Sequence, residues 1–279
     1  MHQVSFPNIF DESKAQIDFD WVKDQLVAKS PFTFIRFSDG EIEILRNRPL
    51  EISLEGVKWS KGETKFKYPD YDHKSFVPKR DYKLRDLLLQ AAQVTAPRLV
   101  KGVPARHNGT SEDRDFMITL NNGTFNLSFA DLLINQNYMR FVNELLPVIQ
   151  KRSDVYVIGN YRMQLESLSK DWVLIPIGDN VFEKLNPTLD YLNESMRQLS
   201  HGSVVLSSAS SISNIFGIRL LDLRPDLTFV DIGTALHPLV GMQDSRREYQ
   251  SQLLDWSPKN WRRKLAYRFV SNSHFLRWD

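Results

Sequence analysis

The stretch SVVLSSASSISNIFGIRLLDLRPDLTFVDI, residues 203–232, decides the fold. Ser203–Ser207 is a run of aliphatic and β-branched residues between small polar ones, which reads as a buried strand. Ile212–Leu223 places apolar residues at helical spacing and ends before Pro225. Thr228–Ile232 (TFVDI) reads as a second strand. A strand, a helix and a strand so close together form a crossover unit, whose strands lie parallel and whose connection is right-handed.

The same alternation extends outward. Val155–Gly159 (VYVIG) and Trp172–Ile177 (WVLIPI) are further strand runs. A short helix is expected after the first, and Phe182–Leu199 after the second, with an irregular start through Pro187. Tyr138–Gln150 has helical spacing. In the first half, Asp20–Lys29 reads as helix, Phe32–Phe37 (FTFIRF) as strand and Glu41–Arg48 as a helix with an acidic first turn. Tyr82–Val94 is a helix stopped before Pro97, and Leu99–Val103 is a short strand. The pattern predicts a layered α/β fold with a mostly parallel sheet flanked by helices. No repeat and no long linker divides the chain. The expectation is a single domain over 1–258 with a polar insertion at about Leu50–Arg80, then a basic aromatic tail over 259–279.

Composition narrows the function. The chain has 279 residues, 42% of them hydrophobic and 25% charged, enough to bury a core without staples. The absence of cysteine excludes a disulfide scaffold, a cysteine zinc site and a thiol nucleophile. A net charge of +2 is too even to indicate a nucleic-acid partner, and none is expected. No window approaches the apolar length of a membrane span, and the opening MHQVSFPN lacks the features of a secretory signal. A soluble cytoplasmic protein is expected. In the tail, Arg262, Arg263 and Lys264 alternate with Trp261, Leu265 and Tyr267. That mixture suits either a peripheral contact with an anionic membrane or a helix that docks its aromatics on the body.

In an open parallel sheet, ligands gather beyond the carboxyl ends of the strands. The segments there are rich in Ser, Asp, Asn and Gly. In Arg36-Phe37-Ser38-Asp39-Gly40-Glu41, two carboxylates stand two residues apart where a strand passes into a helix. Such hard oxygens suit a divalent cation, Mn²⁺ or Mg²⁺, that also bridges phosphates, and Arg36 offers a fork to an anion. The same acids equally suit a helix N-terminal cap. Ser207–Asn214 is a hydroxyl-rich turn leading into a helix, fit for a pyrophosphate or for capping alone. Asp231 closes a buried strand, where a carboxylate needs a partner or a ligand. His107 and His237 are candidate bases or plain loop polar residues. Neither a Gly-x-Gly-x-x-Gly nor a phosphate-binding Gly-Lys-Ser/Thr loop occurs, and the six histidines make no metal spacing.

Taken in order, these segments resemble the GT-D-fold glycosyltransferases, a group first described as a domain of unknown function. Its Arg-Phe-Gly-Asp-Gly-Glu stretch, with an Asp-x-Glu motif, is matched by Arg36–Glu41, with Ser38 in place of the first glycine. Asn180-Val181-Phe182, the Val204–Phe216 strand–loop–helix, Asp231-Ile232-Gly233 and Arg247-Glu248-Tyr249 follow in the family's order. The loop here reads Ser208-Ala209-Ser210 where the family has Gly-Pro or Gly-x-Ser.

The resemblance implies a Rossmann-like, GT-D-like domain that moves a sugar from a nucleotide-sugar donor, commonly a UDP-sugar, to a glycan acceptor. By that likeness Asp39 and Glu41 handle the metal and the donor diphosphate, and Asp231 stands with Asp244 and His237 as a candidate base. Arg36, Ser38, Gly40, Asn180, Ser208, Ser210, Ser211, Gly233, His237 and Arg247 are the residues set against substrate. A lipid-linked acceptor would give the basic tail a use. A homo-oligomer is admitted, the sequence fixing no oligomeric state. Two readings from other classes stand beside this one. One is a nucleotide-sugar or glycan-binding module without catalysis. The other is a Rossmann-like methyltransferase, against which the missing glycine-rich loop counts.

Overall fold

Phe34, Ile35, Val205, Leu206 and Phe229 are fully buried, and they come from three strands that lie side by side, the first far from the other two in sequence. In the computed structural model, which describes residues 9–11, 15–59, 62–64, 68–104, 109–180, 182–242 and 249, these strands form the middle of the molecule. In chain order, α1 (Ala15–Ala28) leads to β1 (Thr33–Arg36) and α2 (Asp39–Leu45). Four short strands follow: β2 (Leu50–Ser53), β3 (Gly56–Trp59), β4 (Gly62–Thr64) and β5 (Lys74–Phe76). Then come α3 (Tyr82–Gln93), β6 (Leu99–Val103), α4 (Ser111–Leu120) and β7 (Leu127–Phe129). The second half runs α5 (Tyr138–Arg140), α6 (Leu146–Gln150), β8 (Val155–Asn160), β9 (Val173–Ile177), α7 (Leu185–Arg197), β10 (Val204–Ser207), α8 (Ser211–Leu223) and β11 (Thr228–Asp231).

Seven strands make one sheet in the order β7-β6-β1-β11-β10-β8-β9, and every neighbouring pair is parallel. The fold is α/β with helices flanking the sheet. The crossover unit expected at 203–232 is present: β10 and β11 pair from Val204↔Thr228 to Ser207↔Asp231, with α8 between them in sequence. Gly217 lets α8 lie close to the sheet. A Cβ there would stand 2.6 Å from Ile35 Cγ2 and 2.9 Å from Phe229 Cε1, both closer than real Cβ contacts. Each large side chain buried beneath the helices contributes about 1.5–3 kcal/mol of transfer free energy.

The insertion departs from expectation. Residues read as a polar stretch fold into a four-stranded antiparallel sheet, ordered β4-β3-β2-β5. Its Leu50, Val57 and Phe76 are buried in the same core as the main sheet. Strands of three or four residues carry at most two core positions each, too few to show as hydrophobic runs. The three-residue β7 likewise shows no strand period. The helix α4 is a further element beyond the sequence expectation, although its Thr110–Asp113 capping box is a start signal, with Thr110 N–H donating to Asp113 at 3.1 Å. The helix expected at Tyr138–Gln150 contains one widened turn, Phe141–Leu145, just before Pro147, whose missing N–H breaks the regular ladder.

No helix among the described residues is long and apolar enough to cross a membrane. The basic tail, His107, Asp244 and Arg247 lie outside the described residues.

Candidate active site

The end of β1 sets the first wall. Ser38 precedes α2 with φ −100° and ψ −171°, extended backbone that any residue adopts, so replacing glycine there carries no strain. Its N–H donates to Glu41 Oε2 at 3.1 Å, a helix-capping bond. Asp39 Oδ1 accepts from Gly40 N–H at 2.9 Å and from the Ser38 hydroxyl at 3.2 Å. Asp39 is half-buried, whereas Glu41 is buried.

The hydroxyl turn after β10 forms the second wall and meets the first. Ser211, which opens α8, donates its hydroxyl to Glu41 Oε1 at 2.9 Å. Asn214, one turn further, donates to the Arg36 carbonyl at 2.6 Å. Inside the turn, Ser207 and Ser213 share a hydrogen bond of 2.8 Å, and Ser213 Oγ accepts from Ala209 N–H at 3.2 Å. Ser208 Oγ lies 2.9 Å from His237 Nε2. Ser210 takes φ +49°, a left-handed value rare for a residue with a side chain, and its hydroxyl receives a 3.0 Å bond from Lys74 Nζ.

Asp231 ends β11, the strand between β1 and β10. Burial pushes its carboxyl up to about 6; the neighbouring Arg36 charge pulls it down, and the nearby Glu41 adds to the rise. Its Oδ1 accepts from Gly233 N–H at 2.9 Å and lies 3.5 Å from Arg36 Nε. Arg36 also donates from Nη1 to the Ala130 carbonyl at 2.8 Å. Gly233 has φ +51°, and a Cβ on it would collide with the Arg36 guanidinium. Arg36 and Gly233, both expected against substrate, are thus turned inward on each other and brace the floor of the site.

Asp39, Glu41, Asp231, Arg36, Ser38, Gly40, Ser208, Ser210, Ser211, Gly233 and His237 therefore gather at the ends of β1, β11 and β10. Asn180 does not join them. It follows β9, at the sheet edge two strands beyond β10, and takes φ +44°. Its neighbour Asp179 accepts from Asn160 at 2.7 Å and is held by both arms of Arg162, ties that pull its carboxyl below the usual range against the cost of burial. Tyr249, from the Arg-x-Tyr match, bonds the Thr234 hydroxyl and packs edge-on against Tyr138, holding the Gly233 loop.

The insertion supplies residues that sequence reasoning did not find, Lys74 from β5 and Tyr71 from the turn before it. Lys74 reaches Ser210. Tyr71 packs edge-on against His237 with ring centres 5.6 Å apart, and its hydroxyl donates to the Met242 carbonyl at 3.3 Å. Nothing in the linear order shows that this segment folds over the hydroxyl turn.

The donor set suits a divalent cation only of one kind. Among the described residues, no three Asp, Glu or His groups come together as a metal cage. Asp39 takes its hydrogen bonds on Oδ1, leaving Oδ2 for a ligand among the described residues. Both Glu41 oxygens accept hydrogen bonds, so its charge lies behind Asp39. One or two carboxylates completed by substrate phosphates is a usual Mg²⁺ arrangement, and the residues fit that.

No family model matches the chain, and no curated protein matches it. Among solved structures, it is similar to one described as the highly conserved domain of unknown function 1792, with a distinct glycosyltransferase fold. That pair has 12% identity and a TM-score of 0.49, covering 79% of this chain and 77% of the other. It is also similar to a new glycosyltransferase (DUF1792) from Streptococcus sanguinis at 14% identity and a TM-score of 0.46, covering 78% and 80%.

Proposed function

We propose that the chain transfers a sugar from a nucleotide-sugar donor, a UDP-sugar, to a glycan acceptor in surface polysaccharide or glycoprotein glycan synthesis. The single observation carrying this reading is the Ser211–Glu41 bond, which sets the hydroxyl turn against the acidic turn. Glycosyl transfer builds negative charge on a departing diphosphate. The Ser208 and Ser210 hydroxyls, in the turn that opens α8, supply donors for that charge. Their order along the chain is the order of the motifs that resemble the GT-D-fold glycosyltransferases.

Mn²⁺ or Mg²⁺ held by Asp39, with the Glu41 charge behind it, would supply Lewis-acid neutralisation of the leaving group. Asp231 holds Arg36 and the Gly233 loop in place. For an inverting transfer, a base must take the acceptor's proton, and His237, bonded to Ser208, stands at the hydroxyl turn for that role. A lipid-linked acceptor and membrane contact through the tail belong to the same proposal.

The test is donor turnover across a panel of nucleotide sugars, with and without Mn²⁺. The reading expects metal-stimulated release of UDP from one of them, lost in Asp39→Ala. Tight binding without any release across an acceptor panel would leave a binding module instead.

A further inference from the structure

Lys74 opens β5 of the small sheet and is fixed there by pairing with Ile52 of β2. Its Nζ donates to Ser210 Oγ at 3.0 Å and lies 3.9 Å from Asp72 Oδ1, an ion pair too long to be a hydrogen bond. The side chain is 19% exposed, neither sealed in the core nor free in solvent. An ammonium has three donors, so these contacts leave capacity for an oxyanion. Ser210 keeps φ +49°. Such a conformation costs energy and persists where its surroundings hold it, commonly at ligand-binding turns. Arg36, the cation at the end of β1, is turned inward onto Ala130 and Asp231.

We infer that Lys74 is a diphosphate-binding residue: the four-stranded sheet lays a positive charge over the hydroxyl turn, where it contacts the phosphate oxygens of the donor. This rests on the proposed donor site and deepens it, assigning the insertion a part in binding. Lys74 meets the phosphate directly. The Ser210 hydroxyl, held by the same ammonium, orients it.

The experiment is calorimetric titration of the full chain with inorganic pyrophosphate, and separately with UDP-glucose and UDP-galactose. Wild type is compared with Lys74→Gln and Lys74→Arg, with thermal unfolding confirming that each variant is folded. Pyrophosphate affinity should fall roughly tenfold to a hundredfold in Lys74→Gln and stay within about threefold of wild type in Lys74→Arg. Equal affinity in wild type and Lys74→Gln, or no pyrophosphate binding by wild type, would overturn the inference. Lys74-dependent pyrophosphate binding without binding of either UDP-sugar would uphold it while removing those two donors from the proposed function.

Discussion

The Ser211 hydroxyl donates to the buried Glu41 carboxylate at 2.9 Å, joining residues 170 positions apart. The bond has two consequences. It satisfies a carboxylate oxygen where water is scarce, and it holds the start of α8 against the start of α2, so that two strand-end turns become one site.

Ser211→Ala should therefore destabilise the protein by about 1–3 kcal/mol, the usual cost of stripping a buried acceptor of its donor. Urea unfolding measures this as a lower midpoint with an unchanged slope. An unaltered midpoint would mean that the link adds nothing to the fold.

The two glycines of the motifs should respond oppositely. Gly233→Ala forces a side chain into a left-handed backbone and against the Arg36 guanidinium, so a loss of roughly 1–3 kcal/mol is expected. Gly40→Ala lies in α2, where a Cβ would make an ordinary 3.7 Å contact with Leu50, and should gain up to about 1 kcal/mol. Thermal unfolding of both variants checks the pair, and a destabilised Gly40→Ala would contradict the packing described here.

Asp39→Asn keeps the size of a half-buried side chain while removing its charge. Donor turnover should fall by roughly a hundredfold or more, with the melting temperature within a few degrees of wild type. Turnover near the wild-type rate, unaffected by chelator, would take Asp39 out of the reaction.

Most strands of the main sheet were legible because each carries an uninterrupted apolar run, as in Val155–Gly159 and Ser203–Ser207. Asp39, Glu41 and the serines of the hydroxyl turn were legible as candidates because parallel topology fixes which strand ends share an edge. Three things were not. β7 and the small sheet are built from strands too short to show a period. The inward turn of Arg36 depends on space that Gly233 leaves, a three-dimensional fact without a linear signal. Lys74 reaches the site only because the insertion folds back over it, 136 residues ahead of Ser210.

Away from the site, two buried groups give the stability a pH dependence. Burial pushes Asp18 up to about 7 from 3.8, against the pull of the Ser128 hydroxyl bonded to it at 2.6 Å. The stability tied to its retained proton is full below about 3.8 and lost as pH rises through about 7, by at most about 4 kcal/mol. Burial pushes Lys101 down to about 7, so its contribution is full above 10.5 and lost as pH falls through about 7. Urea midpoints between pH 4 and 7 should fall in wild type and fall less in Asp18→Asn. Identical slopes would show that Asp18 does not retain its proton.

The most direct measurement is a crystal structure of the protein with UDP and Mn²⁺. The diphosphate should lie between Asp39 and the Ser208–Ser211 turn, with the cation touching Asp39 and phosphate oxygens. A nucleotide seated at another face of the molecule, with Asp39 free of both, would contradict the proposed reaction.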